Sequence, residues 1–288
     1  MLKKKNDYVC DILKNNYIKN IFSCPICKEK LNLVNKSLIC TNLHCFDISK
    51  KGCINLLSTS KKRVENVYDN ILFKNRVEFI KEGFYKELHS LISDKINLTK
   101  HCNVILDMGS GDGTHDNEIY KLLNNRNVNI IGVDISKKGV EISSDYVSDN
   151  FIPIVADLNY LPFVDNSIDV ILNILSPANE AEMNRVLKKD GIILKVTPKK
   201  EYLQELRLAL GIKEYENENQ IEENIKRKYE IINKTEIIVR KELSTKTLSN
   251  LLEMTPLTKN YKKDILIDSI SIALNIYELK VRDKNESI

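Results

Sequence analysis

The sequence predicts an α/β protein, a mostly parallel, doubly wound sheet preceded by a small β module held together by metal. Three observations predict it. From about residue 103 onward, short apolar runs alternate with segments of helical period, the pattern of strands joined by crossover helices. The first run, Val104-Ile105-Leu106-Asp107, opens into the turn Met108-Gly109-Ser110-Gly111-Asp112-Gly113, and the second, Asn129-Ile130-Ile131-Gly132-Val133-Asp134, again ends in an acid. Glycines there let the backbone approach a ligand, and a carboxylate at the end of the next strand can grip a ribose diol. Finally, six of the seven cysteines lie within the first 53 residues. An odd, uneven set of that kind favours metal binding over a disulfide framework.

Composition narrows the class further. A chain of 288 residues accommodates one large α/β domain and a small appendage. A hydrophobic fraction of 42% excludes global disorder. The net charge of +4 and the pI near 8.5 are mildly basic, below the pI of about 9 that marks a nucleic-acid binder on charge alone. No apolar run reaches the roughly 18 residues needed to span a bilayer. Lys3, Lys4 and Lys5 are not followed by an apolar signal core, so a cytoplasmic location with no membrane partner is expected.

Residues 1–20 read as a polar, weakly helical lead-in, a tail without a role of its own. Residues 21–57 form the small module. Cys24-Pro25-Ile26-Cys27 is one knuckle, and Cys40 with His44 or Cys45 supplies a second, thirteen positions after Cys27. Tetrahedral zinc needs four such donors. The pieces Leu31-Asn32-Leu33 and Ser37-Leu38-Ile39 would form a hairpin between the knuckles. So small a core would depend on metal to stay folded. On the residues alone the fourth ligand is His44 or Cys45, while Cys10 and Cys53 read as structural thiols.

Residues 58–100 comprise a polar linker with Lys61-Lys62-Arg63 and then a helical segment. In it Phe73, Val77, Ile80, Phe84, Leu88 and Ile92 recur every three or four positions, and Gly83 marks a break between two helices. Residues 101–288 carry the alternation. Strands are expected at 103–107, 129–133, 151–155, 168–173 and 191–196, and helices at 115–124, 137–147, 179–187 and 201–210. A charged stretch follows at 211–228. Two late strands, around 235–240 and 271–277 with a short helix at 248–254 between them, suggest an antiparallel edge.

The glycine spacing departs from the dinucleotide fingerprint, whose third glycine would fall at Thr114. S-adenosylmethionine, which has no phosphate to cradle, fits the acids better. Asp107 can orient the amino-acid end, Asp134 can accept from both ribose hydroxyls, and Asp157 can accept from the adenine amine while Leu158 donates its backbone N–H. Each acid alone can also be a helix N-cap.

These motifs resemble the class I S-adenosylmethionine methyltransferases, whose sheet is Rossmann-like. The front end narrows the resemblance. The Cys24/Cys27 knuckle, the Cys40/His44 cluster and Phe46-Asp47-Ile48-Ser49-Lys50-Lys51-Gly52-Cys53-Ile54-Asn55-Leu56-Leu57 are similar to the zinc-bearing N-terminus of the 23S rRNA (guanine-N1)-methyltransferases, the RlmA family. Phe84-Tyr85, Leu161-Pro162-Phe163, Thr197-Pro198 and Met254-Thr255-Pro256 extend the match over about residues 21–280. The resemblance implies that Cys24, Cys27, Cys40 and His44 hold zinc. It also implies cofactor contacts from Tyr85 and from the Gly111-Asp112 turn. The family has a histidine shortly after Thr-Pro, and this chain has Tyr202 there. A tyrosine still donates a hydrogen bond and packs its ring, but carries no positive charge.

The function implied is methyl transfer from S-adenosylmethionine to N1 of a guanine in a hairpin loop of 23S rRNA, with residues 21–57 as the RNA reader; a homodimer is one assembly left open. Two alternatives are a methyltransferase for a small molecule or protein, and a zinc-containing RNA-binding protein without activity. Guanine N1 carries a proton, and a carboxylate, or a water held by one, is the expected acceptor; no catalytic residue is singled out by the sequence. Asn173 and Ser176, in the loop after the fourth strand, are either contacts to the guanine edge or turn residues. Lys28, Lys30, Lys36, Lys50, Lys51, Lys61, Lys62 and Arg63 can meet phosphates if they share a face.

Overall fold

A computed structural model describes residues 3–57, 70–148, 150–213, 217–258 and 265–282. In chain order, helix α1 (Lys5–Lys14) is followed by strands β1 (Leu31–Val34), β2 (Ser37–Cys40), β3 (Cys45–Asp47) and β4 (Ile54–Asn55). Helices α2 (Asn70–Phe79) and α3 (Lys86–Leu98) flank a π turn in which Gly83 adopts φ 86°. This left-handed residue is the break expected there. Then come β5 (Val104–Met108), α4 (Thr114–Leu122), β6 (Asn129–Asp134), α5 (Lys137–Ser143), β7 (Phe151–Val155), β8 (Ile168–Ile174), α6 (Glu180–Val186) and β9 (Leu187–Pro198). The chain continues through α7 (Gln204–Ala209), α8 (Glu218–Lys228), β10 (Tyr229–Glu242), α9 (Thr245–Met254) and β11 (Ser269–Val281).

Eight strands form one sheet in the order β10-β11-β9-β8-β5-β6-β7-β4. From β4 to β9 every neighbour is parallel, while β11 runs antiparallel to both β9 and β10. This is the expected class I methyltransferase sheet with its antiparallel edge. β10 is longer than the expected 235–240, because its whole length pairs with β11. α7 is shorter than the expected 201–210, because its start is set by Leu203, which is left-handed at φ 54°. The chain passes from β5 outward through β6 and β7, then returns to lay β8 on the other side of β5. Beyond the carboxyl ends of β5 and β8 such a reversal leaves a crevice.

Strands covered on both faces need apolar residues at every position, and β5 is buried throughout. Val104, Leu106 and Met108 face one apolar cluster; Ile105 faces another, with Leu88 and Ile92 of α3 and Ile119 of α4.

The front of the chain is built into the first of those clusters. β1 and β2 form the expected hairpin, with Leu31 opposite Cys40 and a two-residue turn at Asn35-Lys36 where Asn35 takes φ 54°. β4 then joins the large sheet, with Ile54 opposite Ile154 of β7, and Leu56 N donates to Val155 O at 2.8 Å. The lead-in is no free tail. Val9, Ile12 and Leu13 of α1, and Ile18 after it, are at most 3% exposed and pack in the same cluster as Leu56, Ile152 and Ile154. Each such side chain stabilises docking by about 1.5–3 kcal/mol. Within residues 21–57, β1, β2 and β3 form a separate three-stranded sheet, and β4 alone extends the edge of the large one. The expected linker cations Lys61, Lys62 and Arg63 lie outside the described residues.

Candidate functional site

The metal cluster is set by the hairpin. Cys40 ends β2, His44 sits in the turn before β3, and the Cys24/Cys27 knuckle folds back through Cys24 N donating to Glu29 O at 2.7 Å. The ligand atoms of Cys24, Cys27, Cys40 and His44 all lie within 4.8 Å of one another. Cys27 Sγ is 3.6 Å from Cys40 Sγ, and His44 Nδ1 is 3.6 Å from Cys24 Sγ and 3.4 Å from Cys40 Sγ. With zinc–sulfur bonds of about 2.3 Å, the edges of a tetrahedron are about 3.8 Å. The donor set thus matches a zinc ion in both chemistry and spacing. Cys45 turns away; it is exposed and its thiol donates to Asp47 Oδ1 at 3.9 Å. Of the two fourth ligands the residues left open, the structure brings His44 into the cluster. Cys53 donates to Val140 O and Cys10 to Asn35 O, so neither is a ligand.

The second site is a cavity of about 810 Å³ at the carboxyl ends of the central strands. Its volume suits a nucleoside-sized ligand together with part of a second one. Tyr85, Asp107, Gly109, Gly111, Asp112, Asp134, Leu158 and Tyr202 all line it. Gly109 has φ 94°, and a Cβ there would lie 2.4 Å from Ser176 Oγ. Gly111 at φ 56° donates its N–H to Asp134 Oδ2 at 2.9 Å, while Asp134 Oδ1 accepts from Ser136 N at 2.7 Å. The glycine turn and the acid of β6 are thereby locked to each other. Asp112 Oδ1 accepts from Thr114 N at 3.0 Å and anchors the start of α4.

Three buried polar atoms on the cavity wall, Asp107 Oδ1, Ser110 Oγ and Asp112 Oδ2, have no hydrogen-bond partner among the described residues. Buried polar groups are normally satisfied, so two orphaned carboxylate oxygens ask for a ligand that donates. S-adenosylmethionine, with an ammonium, two ribose hydroxyls and a sulfonium, fits. Burial pushes the Asp107 carboxyl up to about 7, with the Asp134 charge adding to the rise. Burial first, and then the Asp107 charge, push the Asp116 carboxyl of α4 well above the ordinary carboxylate range. Burial also raises Asp112 and Asp134, against the opposing charge of Arg76.

Asp157 is the one expected cofactor residue that the structure does not bring into the wall. Its Oδ1 accepts from Asn159 N at 2.8 Å and Asn159 Nδ2 at 3.0 Å, closing a turn that leaves Leu158 facing the cavity. Tyr202 does line the wall, and its hydroxyl is 2.7 Å from that of Tyr85. Asn173 proves to be a clamp. It is fully buried, and its Nδ2 donates to Met108 O, Ser176 Oγ and Pro177 O at 2.9, 2.6 and 3.1 Å. Its amide has no donor left for a base edge; Ser176 itself lines the cavity.

Several lining residues carried no local signal. Arg76 and Phe73 come from α2, where the 3–4 periodicity marked Phe73 only as core. His115 accepts from or donates to His89 through Nδ1···Nε2 at 2.8 Å, and burial depresses both, His89 to about 4. Lys195 of β9 lines the cavity and donates from Nζ to Asn173 Oδ1 at 2.6 Å. Burial lowers its proton affinity. An alternating strand pattern would have flagged Lys195 as the one cation within Ile192–Val196, the only signal the sequence offered.

Comparison with known proteins agrees with this geometry. The family model described as "RlmA, N-terminal", a zinc ribbon, matches residues 22–65, and a model described as "Methyltransferase domain" matches residues 98–260. A putative 23S rRNA (guanine-N1)-methyltransferase of Bacillus subtilis is 39% identical over 198 residues, covering 66% of this chain and 69% of that protein. The 23S rRNA (guanine(748)-N1)-methyltransferase of Streptomyces fradiae is 24% identical over 93% of this chain and 95% of its own length. A zinc ribbon with a Cys₃His cluster fused to a class I sheet, together with a relative matched at that identity over that length, makes the chain a member of the RlmA family of S-adenosylmethionine-dependent methyltransferases.

Proposed function

We propose that the protein transfers a methyl group from S-adenosylmethionine to N1 of a guanine in a hairpin loop of 23S rRNA. What carries this reading is a shared wall. Helix α2 gives Phe73 and Arg76 to the cofactor cavity, and Asn70 and Lys74 to a second cleft of about 500 Å³. The other walls of that cleft are Lys5, Lys50 and Lys51 from the front of the chain and Lys138, Glu141 and Asp145 from and after α5. Lys5 and Lys51 are paired with Asp145 and Glu141. Lys50, Lys74 and Lys138 have no carboxylate ion-pair partner among the described residues. A net cationic cleft suits a sugar–phosphate backbone, and it shares helix α2 with the cofactor cavity. Structured RNA offers unpaired loop bases for such a pocket. The names of the relatives support the same substrate.

In this reading Asp107 faces the ammonium of S-adenosylmethionine, Asp134 the ribose hydroxyls and Leu158 N–H the adenine; Asp157 shapes the loop that carries Leu158. Tyr85 and Tyr202 close the cavity wall. The bound cofactor supplies an electrophilic methyl on a sulfonium, and the protein contributes alignment and closeness. Zinc on Cys24, Cys27, Cys40 and His44 is structural, its four positions all filled by protein. The reading places the protein in the cytoplasm with its RNA. Among the described residues no helix is long and apolar enough to cross a membrane. A homodimer belongs to the same reading and is checked by light scattering of the purified chain.

The test is to incubate the protein with labelled S-adenosylmethionine and unmodified 23S rRNA and to map reverse-transcription stops. N1 methylation blocks Watson–Crick pairing, so a new stop at a hairpin-loop guanine is expected. Label in RNA without a stop refutes N1, and no label in RNA at all points to a small-molecule or protein substrate.

A further inference from the structure

We propose that Lys195, clamped by Asn173 at the acceptor end of the cavity, is the catalytic residue that takes the N1 proton from the target guanine; this rests on the guanine-N1 reading above. N1 is a poor nucleophile until its proton leaves, so some group beside it must accept.

The titratable groups lining the cavity are Asp107, Asp112, Asp134, His115, Tyr85, Tyr202, Arg76, Arg207 and Lys195, and most are already committed. The three acids gather at the glycine turn, Asp134 on Gly111 and Ser136, Asp112 on Thr114, and Asp107 beside Asp116. His115 is paired with His89, and Tyr85 with Tyr202. A guanidinium does not accept a proton, which removes Arg76 and Arg207. At the end formed by Ile174–Ala178 and Lys195–Pro198, no carboxylate lines the cavity among the described residues. The expectation of a carboxylate acceptor thus finds no candidate there, and Lys195 is left.

Its position is fixed. Lys195 pairs in register with Asn173 of β8 and with Tyr277 of β11. The three acceptors held by Asn173 Nδ2 orient that amide so that Oδ1 points at Lys195 Nζ. Tyr277 donates its hydroxyl to Glu222 at 3.2 Å. Lys195 has no carboxylate within ion-pair distance among the described residues; the Glu180 charge acts on it from farther off and opposes the effect of burial. Burial shifts this amine toward its neutral form, and it is in that form that Nζ accepts a proton.

The step balances. The neutral Lys195 Nζ takes the N1 proton and becomes an ammonium. N1 bonds to the methyl carbon as the carbon–sulfur bond breaks, and that electron pair stays on sulfur. Lys195 then returns its proton to water.

The test measures single-turnover methylation against pH, with S-adenosylmethionine and RNA affinities measured alongside. Lys195→Met is expected to lower the rate by about 10²–10⁴-fold, with both affinities within threefold of the parent. The lost rate should recover as pH rises, and in part on addition of methylamine. Lys195→Arg carries a fixed charge, can still donate to Asn173 and cannot accept a proton; it covers the case in which the methionine variant fails to fold, and it should be as slow. An arginine variant retaining more than a tenth of the rate would mean that the lysine acts only as a cation, and overturns the proposal. So does a methionine variant within threefold of the parent rate, or one whose loss lies in cofactor affinity. The parent's reverse-transcription stop is read first. A missing stop defeats the N1 reading itself, whereas a stop with an undiminished Lys195→Met rate defeats only the role of Lys195.

Discussion

The phenol oxygens of Tyr85 and Tyr202 are 2.7 Å apart, so one hydroxyl donates to the other on the cavity wall. Burial raises both well away from ionisation, and the pair is neutral at every physiological pH. The position after Thr197-Pro198 therefore carries one half of a neutral pair, with Tyr202 reaching back to a residue 117 positions earlier. Removing one hydroxyl strands the other in a dry site, which costs about 1–3 kcal/mol. Tyr202→Phe should lower the urea midpoint accordingly and weaken S-adenosylmethionine binding. Tyr85→Phe should do the same, and the double variant should cost little more than either single one. Additive losses in that cycle would show that the two hydroxyls do not act as a pair.

Asp107 and Asp116 give a pH dependence whose sign is fixed. In the unfolded chain both titrate near about 3.9, while in the fold Asp107 is pushed up to about 7 and Asp116 is raised well above its ordinary range. The folded state then binds more protons than the unfolded one, so the stability of the ligand-free chain falls as pH rises from about 4 through about 7. Cofactor binding runs the other way, because an ammonium needs Asp107 ionised. Affinity for S-adenosylmethionine should rise through about pH 7, with proton release visible as a buffer-dependent enthalpy in calorimetry. Asp116→Asn places an amide donor beside Asp107 and should flatten that rise. An unchanged pH profile in the variant would separate the two carboxyls.

What the sequence made legible was local. Asp107, the three glycines and Asp134 follow from spacing alone, since strand, turn and strand end are fixed within a few residues of one another. The hairpin at 31–40 was legible for the same reason. His44 and Cys45 are adjacent, and only the turn before β3 decides which of them points inward. Lys195, Arg76 and His115 were hidden because their meaning comes from elements far apart in the chain. The lead-in at Val9–Leu13 looked dispensable because its apolar residues are few; the surface they cover belongs to β7, more than 130 residues later.

The cationic cleft predicts which lysines meet RNA. Lys36, expected at a phosphate, is instead paired with Asp7 at 2.6 Å and donates to Asn6 at 3.1 Å. Lys50 and Lys138 line the cleft without such partners among the described residues. Lys50→Glu and Lys138→Glu should weaken RNA binding and reduce the slope of log affinity against log salt by about 1 for each phosphate no longer neutralised. Cofactor affinity should hold, since neither residue lines that cavity. Lys36→Ala should leave the salt slope where it was. A filter-binding series at several salt concentrations distinguishes these outcomes, and equal effects at all three positions would mean diffuse attraction with no defined cleft.

Zinc removal should reach beyond the module that holds it. His44→Ala removes one of four donors and should lower the zinc content measured by mass spectrometry, while Cys45→Ser, at an exposed thiol, should not. The reverse pattern would make Cys45 the ligand. A structural zinc site contributes its binding free energy to folding, and here Leu31, Leu38, Ile54 and Leu56 belong to the same apolar cluster as Leu106 and Ile154 of the large sheet. Chelation should therefore lower the melting temperature of the whole chain in one transition and weaken S-adenosylmethionine binding with it. Two separate transitions, with the second at the temperature of the zinc-loaded protein, would show that β4 and its neighbours peel from β7 without cost to the methyltransferase sheet.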